Sequence, residues 1–327
     1  MIRVTAASRL HFGLFRMTAS AGPEGRPGRR FGGVGLMVDA PGLRLDVHPA
    51  ASWSAEGPLA ERALGFAHRF AKTLPVDALP PQRVLIEQAP PEHVGLGTGT
   101  QLALAVARAL AHAARQQGLD AAELARRVGR GERSALGIHG FARGGFLVEA
   151  GKRSADAVAP LVARMDFPEP WRLLLALPPG PSGLHGTAEQ QAFQQLEVSD
   201  STTLQTDALC RLVLLDALPA LAERDLHAFG ETLHEFNARA GESFAEIQGG
   251  TYAGPRVAEL VSFLRRQGIR GVGQSSWGPA VFAVTADENQ AGWLVRLLRA
   301  RFSFGANDVF IARACNQPAS VVEGLGN

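Results

Sequence analysis

The chain has 327 residues, 46% of them hydrophobic and 20% charged, with a formal net charge of +2. Such a length and hydrophobic content suit a globular protein of two domains, and the near-neutral charge excludes the electrostatic footprint of a nucleic-acid or membrane-surface binder. Cys210 and Cys315 form no C-x-x-C pair, which predicts neither a disulfide framework nor a zinc site; without a leader or a membrane-spanning apolar run, the expected setting is the cytoplasm.

The first element is a strand over 1–7 that continues as an extended segment to residue 15. Within it Arg9 and His11 alternate with Leu10 and Phe12, so the two polar side chains share one face. That face is either solvated or, next to Gly13, suited to an anionic sugar phosphate. Residues 19–35 are rich in Gly, Pro and Arg and predict a long loop carrying Arg26, Arg29 and Arg30. It is either a plain connection or a cover bringing guanidinium groups to phosphate. Gly32 and Gly33 then lead into a strand over 36–40, a Pro41-Gly42 turn and a second strand over 43–47. A helix over 59–72 and a strand over 82–88 bring the chain to its most informative stretch.

That stretch, 90–110, passes Gly95, Gly97 and Gly99 and becomes an apolar-periodic helix. Glycines let backbone approach a ligand closely, and a helix N-terminus presents unpaired amides and positive dipole. The segment is a tight structural corner or a phosphate cradle, with Leu96, Thr98, Thr100 and Gln101 as its other members. It lacks the lysine of a Walker loop, since Lys72 and Lys152 are the only lysines, and the third glycine of the dinucleotide motif.

After a helix over 121–128, His139 and Arg143 sit among glycines ahead of Gly144-Gly145 and a β run. They are a spare His and a surface Arg, or pocket residues. A domain boundary is expected between Pro160 and Pro170, dividing the chain into 1–165 and 166–327. The strand over 171–177 follows, then a loop with Ser182 and His185, with Glu189 four residues on. Helices are expected over 204–218 and 223–240, the latter carrying His227, Glu231 and His234 as a helix-surface set or metal ligands. Beyond a helix over 257–267, Gln274, Ser275, Ser276 and Trp277 occupy a glycine-rich turn before a strand. Trp277 either fills a core or stacks on an aromatic ligand. A helix over 289–301 and a last strand complete the pattern.

The segment P-x-x-x-G-L-G-T-G-T resembles the second motif of the superfamily named after galactokinase, homoserine kinase, mevalonate kinase and phosphomevalonate kinase (GHMP), where this loop wraps nucleotide phosphates. The kinases usually carry S-G-x-D where this chain reads Ser134-Ala135-Leu136-Gly137, so glycine stands in place of their catalytic base. Ser8–Gly13 (SRLHFG), the Gly-Gly after Arg30, Gly95–Ala107, Ser134–Gly145 and Gly183–Glu189 together resemble the branch of β-ribofuranosylaminobenzene 5'-phosphate synthases.

The resemblance implies an α+β, GHMP-kinase-like fold: an N-terminal ribosomal-protein-like β-α-β domain, a ferredoxin-like C-terminal domain, and a site between them. It implies a pentosyltransferase of methanopterin biosynthesis that condenses phosphoribosyl pyrophosphate with 4-aminobenzoate, or a 4-hydroxybenzoate-like acid, with loss of carbon dioxide and pyrophosphate. An ATP-dependent small-molecule kinase and a non-catalytic ligand sensor are the alternatives. Expected catalytic residues are His11, His139, His185 and Arg143. Gly95 to Gln101 with Arg29 and Arg30 are expected to bind phosphate. Ser8, Arg9, Phe12, Gly32, Gly33, Gly144, Gly145, Glu189 and Gln274 to Trp277 are expected at the substrates. Mg²⁺ is expected with the pyrophosphate and pyridoxal phosphate is not; the partners are small molecules and a second copy in a homodimer.

Overall fold

The computed structural model describes residues 1–15, 28–180, 183, 186–198 and 203–324. In chain order its strands are β1 (Ile2–Leu14), β2 (Gly33–Pro49), β3 (Ser54–Glu56), β4 (Gln82–Gln88), β5 (Phe146–Glu149), β6 (Leu161–Met165), β7 (Arg172–Ala176), β8 (Val272–Gln274), β9 (Val281–Thr285), β10 (Val309–Ala312) and β11 (Ser320–Glu323). The helices are α1 (Ala60–Ala71), α2 (Thr98–Ala113), α3 (Ala121–Arg127), α4 (Leu136–Arg143), α5 (Gly186–Val198), α6 (Thr203–Arg211), α7 (Leu218–Glu223), α8 (Leu226–Glu242), α9 (Ala245–Gln248), α10 (Pro255–Arg266) and α11 (Glu288–Phe302), with a π-helical stretch at Leu212–Ala217.

Among the described residues, seven strands make the first sheet, with β11-β1-β2-β4-β3 in a row and β5 and β6 attached through β2. The remaining four form an antiparallel sheet in the order β10-β7-β9-β8. With helices between β7 and β8 and α11 between β9 and β10, that order is ferredoxin-like. The chain as a whole is α+β. Its second half is not confined to the second sheet, because β11 returns to pair with β1.

The long strand β1 serves two cores. Val4 and Ala6 pack with α1 and α2 residues such as Phe66 and Leu102. Beyond a register shift between Ala6 and Ser8, Leu10 and Phe12 pack instead against α8 and the second sheet. Phe12 and Phe282 meet edge-on across that junction, with ring centroids 4.8 Å apart. The shift lies opposite the 39–42 stretch of β2, where the sequence predicted a turn between two strands. The structure instead runs one strand through it, and the ladder skips there because Pro41 has no N–H to donate.

Helix α1 buries Ala63, Phe66, Ala67 and Phe70, one face of an amphipathic helix. Helix α2 is buried almost all round, since its alanines let β1, α1 and α3 close on it. Each leucine it buries contributes about 1.5–3 kcal/mol. The loop ahead of α2 is therefore mounted on one of the most rigidly packed elements of the fold. Among the described residues, no helix is long and apolar enough to cross a membrane.

Candidate active site

A cleft of ≈ 860 Å³ runs along residues 95–100, the glycine loop and the first residues of α2. At the Gly95 end the loop is tied into the second sheet. The Ser275 hydroxyl donates to the Gly95 carbonyl at 2.7 Å and accepts from the His11 amide at 3.0 Å. A Cβ on residue 95, where φ is +92°, would run into the Ser275 carbonyl, so only glycine fits. Asn237 of α8 completes the junction: its amide nitrogen donates to the Phe12 and Gln274 carbonyls at 2.6 and 2.8 Å, and its oxygen accepts from the Gln274 amide at 2.9 Å. The Gln274 side chain continues the network to the Ala253 amide and the Ser276 carbonyl.

The other end of the loop is open. Gly97, in the left-handed region at φ 70°, precedes α2 without any side-chain cap. The amides of Gly97, Thr98 and Gly99 donate to no backbone or side-chain acceptor among the described residues. Thr98 spends its hydroxyl on the Pro91 carbonyl at 2.8 Å. Arg9 lies against Gly97, its Nε shielded from solvent and without a hydrogen-bond partner. Burial pushes its pKa down to about 10, which leaves the guanidinium charged at neutral pH. The His11 imidazole lines the cleft and is held well below its ordinary pKa, by burial first and then by Arg9. It is neutral at pH 7.

Five arginines line the cleft, Arg9, Arg62, Arg69, Arg130 and Arg133, against three glutamates, Glu92, Glu132 and Glu189. Glu92 pairs with Arg62, and Glu189 with Arg133 at 2.9 Å. An aromatic wall is made by Phe193, Phe244 and Trp277, with Phe244 and Trp277 centroids 4.7 Å apart and edge-on. Trp277 packs in a small core and also lines the cleft.

Several expected site residues stand elsewhere. His139 is on α4, outside the cleft lining, with Nε2 on the Ala159 carbonyl at 2.7 Å. Arg143 ends the same helix in solvent, also outside the lining. The flanking glycines suggested a pocket, but residues 136–143 form a helix that leaves both side chains outside the lining. Arg29 donates to the Gly151 carbonyl at 2.9 Å, and Arg30 bridges to Lys152 through the backbone and lies over Phe31; neither lines the cleft. Ser8 is buried and donates to the Pro41 carbonyl. Gly32 and Gly33 are packed against 149–151 and 13, and Gly144 and Gly145 against 315–317 and 165, close approaches within the fold. Gln101 is also behind the lining, with its amide on the Gly137 carbonyl at 2.9 Å. Phe12, Leu96, Thr100, Glu189, Gln274 and Ser276 do line the cleft. Arg26, Ser182 and His185 lie outside the described residues.

The His227, Glu231 and His234 set is not gathered for a metal. His234 Nδ1 is on the Val272 carbonyl and Glu231 holds Arg265 and Arg270. No group of three ligating side chains exists among the described residues. Lys152 is 1% exposed, with Nζ on the Gly131 and Ala155 carbonyls. Arg62, Phe66, Arg69, Arg130 and Arg133 were not anticipated. Arg62, Phe66 and Arg69 occupy one face of α1 at i, i+4 and i+7, a signal that a solvated face would give equally.

At the position of the kinases' aspartate, a Cβ on Gly137 would lie 3.0 Å from the Thr100 methyl and 3.4 Å from the Gln101 amide. Even a Cβ there would press on the α2 side chains.

Comparison with known proteins agrees with this architecture. Residues 60–145 match the family model described as GHMP kinases N terminal domain, and 217–303 match GHMP kinases C terminal. Among solved structures, a mevalonate diphosphate decarboxylase from Enterococcus faecalis superposes with a TM-score of 0.69 at 15% identity, covering 99% of both chains, a likeness of fold. The chain is 31% identical over 319 residues to a β-ribofuranosylphenol 5'-phosphate synthase of Methanothermobacter thermautotrophicus, covering 90% of this chain and 92% of the relative. It is 30% identical over 323 residues to the synthase of the same name from Archaeoglobus fulgidus, covering 93% of each. This chain therefore belongs to the β-ribofuranosylphenol 5'-phosphate synthase family, within the GHMP kinase superfamily.

Proposed function

We propose that this cleft is the active site of a pentosyltransferase that joins the anomeric carbon of phosphoribosyl pyrophosphate to the carboxylate-bearing ring carbon of a 4-hydroxybenzoate or 4-aminobenzoate acceptor. The phenol in the relatives' name favours the hydroxy acid. The observation that carries the reading is the pairing of an unsatisfied anion cradle, made by the Gly97 to Gly99 amides and Arg9 Nε, with an aromatic wall in the same cleft.

The chemistry matches those parts. As the C1–O bond breaks, its electron pair stays on pyrophosphate and the ribosyl centre gains oxocarbenium character. Preorganised amides, the α2 dipole and Arg9 stabilise the departing charge. Ring electrons para to the hydroxyl form the new C–C bond. The bond to the carboxylate then returns its pair to the ring, and carbon dioxide leaves. The reacting carbon loses no proton, so no base is needed where Gly137 replaces the kinases' aspartate. The neutral His11 can hydrogen-bond a carboxylate or ribose hydroxyl without adding charge.

Mg²⁺ enters, in this reading, as the pyrophosphate complex. The residues present do not make a cage for it: of the lining carboxylates, Glu92 and Glu189 are engaged by arginines. Glu132, exposed and without an ion pair among the described residues, could share a metal held chiefly by phosphate oxygens.

The test is to supply Mg²⁺, phosphoribosyl pyrophosphate and carboxyl-labelled acceptor and to collect labelled carbon dioxide. The expected result is release from the 4-hydroxy or 4-amino acid that requires phosphoribosyl pyrophosphate and ignores ATP. No release with either acid, or phosphoryl transfer from ATP instead, refutes the reading.

A further inference from the structure

The glycine loop meets a different partner at each of its glycines. A Cβ on Gly95 would meet Ser275, one on Gly97 would meet Arg9, and one on Gly99 would meet the Arg62 and Arg130 guanidinium groups. The third position is the least satisfied part of the cleft. Arg62, Arg69 and Arg130 surround a single ring, with guanidinium carbons 5.8, 5.8 and 5.0 Å from the Phe66 centroid.

Packing alone does not account for this cluster. Cation–π contact contributes about 0.5–2 kcal/mol where one cation covers a face, but three like charges on one ring repel one another. Burial, then Arg62 and Arg69, push the Arg130 pKa down to about 10, while burial and Arg69 lower that of Arg62. Among the described residues only Glu92 answers the charge directly, on Arg62. Glu132 and Glu189 act on Arg130 from a distance. Arg130 Nε is buried with no partner, and Arg69 forms no ion pair among the described residues. The Gly99 amide beside them is also unpaired.

We infer that Arg62, Arg69 and Arg130 form a second anion subsite, which takes the distal phosphate of the leaving diphosphate. The inference rests on the function proposed above. Its direction comes from the chemistry of displacement at a sugar carbon, in which the acceptor and the leaving group lie on opposite sides of the carbon attacked. Trp277 of the aromatic wall follows Ser275, the partner of Gly95, by two residues, whereas the arginine cluster stands at Gly99. An acceptor against Trp277 directs the diphosphate past Arg9 toward Arg62, Arg69 and Arg130. The 5-phosphate branches from the far side of the ribose and is not on that line.

Calorimetric titration of the full chain with pyrophosphate and with ribose 5-phosphate, each with Mg²⁺, tests this in wild type, R69Q and R130Q. Pyrophosphate is expected to bind ~10- to 100-fold more weakly in each variant, the loss typical of a charge-assisted hydrogen-bond donor, while ribose 5-phosphate changes by less than about threefold. R69Q is expected to melt no lower than wild type, because it removes an exposed charge from a like-charged group. Unchanged pyrophosphate affinity in both variants overturns the subsite, and an equal or larger loss for ribose 5-phosphate reassigns it to the 5-phosphate. Failure of the wild type itself to bind pyrophosphate removes the function proposed above, and this inference with it.

Discussion

The two ends of one loop are built on opposite plans. At Gly95 the polar groups of Ser275, Asn237 and Gln274 find partners across β1, α8 and β8. At Gly97 to Gly99, two to four residues along, amides and two guanidinium Nε atoms find none among the described residues. A satisfied network fixes geometry, whereas donors without partners are available to an anion. The contrast teaches that residues committed to the fold lie next to residues left open for the proposed anion, so that mutation can separate the two.

The largest effect on the satisfied side is expected from Asn237→Ala. It leaves the Phe12 carbonyl and the Gln274 amide and carbonyl without this partner in a buried site, a loss of about 3–5 kcal/mol. Denaturant unfolding reads it directly; a change below about 0.5 kcal/mol would mean the junction does not depend on this network.

A smaller effect comes from Glu149, behind the cleft. Its Oε2 accepts from the Ala135 amide at 2.7 Å while Oε1 is buried without a partner. Burial pushes this carboxyl up to about 7, against the lowering influence of Ser134, Ala135, Arg9 and Lys152. The folded state then holds a proton that the unfolded chain releases above its ordinary value of 4.5. Stability contributed by this group is present below pH 4.5 and is lost as pH rises to about 7, by roughly 2–3 kcal/mol. Glu149→Gln should flatten that part of the stability profile. An unaltered slope in the variant would assign the pH dependence to another group.

The parts legible in the sequence were those written locally. The loop of 95–101, the shared face of Arg9 and His11, and the ferredoxin-like ordering of the second half each follow from spacing within a few residues or from element order. The arginine cluster was not legible, because Arg62 and Arg130 are 68 residues apart and only the packing of α1 beside the loop unites them. His139 and Arg143 misled for the converse reason. Glycines around them suggested a pocket, but the 136–143 helix commits His139 to a backbone carbonyl. Likewise nothing in the last residues announces that β11 will cross back to β1, since strand pairing at such a distance is a property of the whole sheet.

Arg9→Gln is the variant that tests the account most directly, assayed for labelled carbon dioxide release and for thermal stability on one preparation. The Arg9 Nε is buried without a hydrogen-bond partner; if it serves the proposed substrate, kcat/KM should fall ~100-fold or more, the loss typical of one preorganised donor to a developing anion, while the melting temperature holds or rises. Full activity in the variant, or a melting temperature that drops together with activity, would contradict the claim that this end of the loop is kept open for an anion.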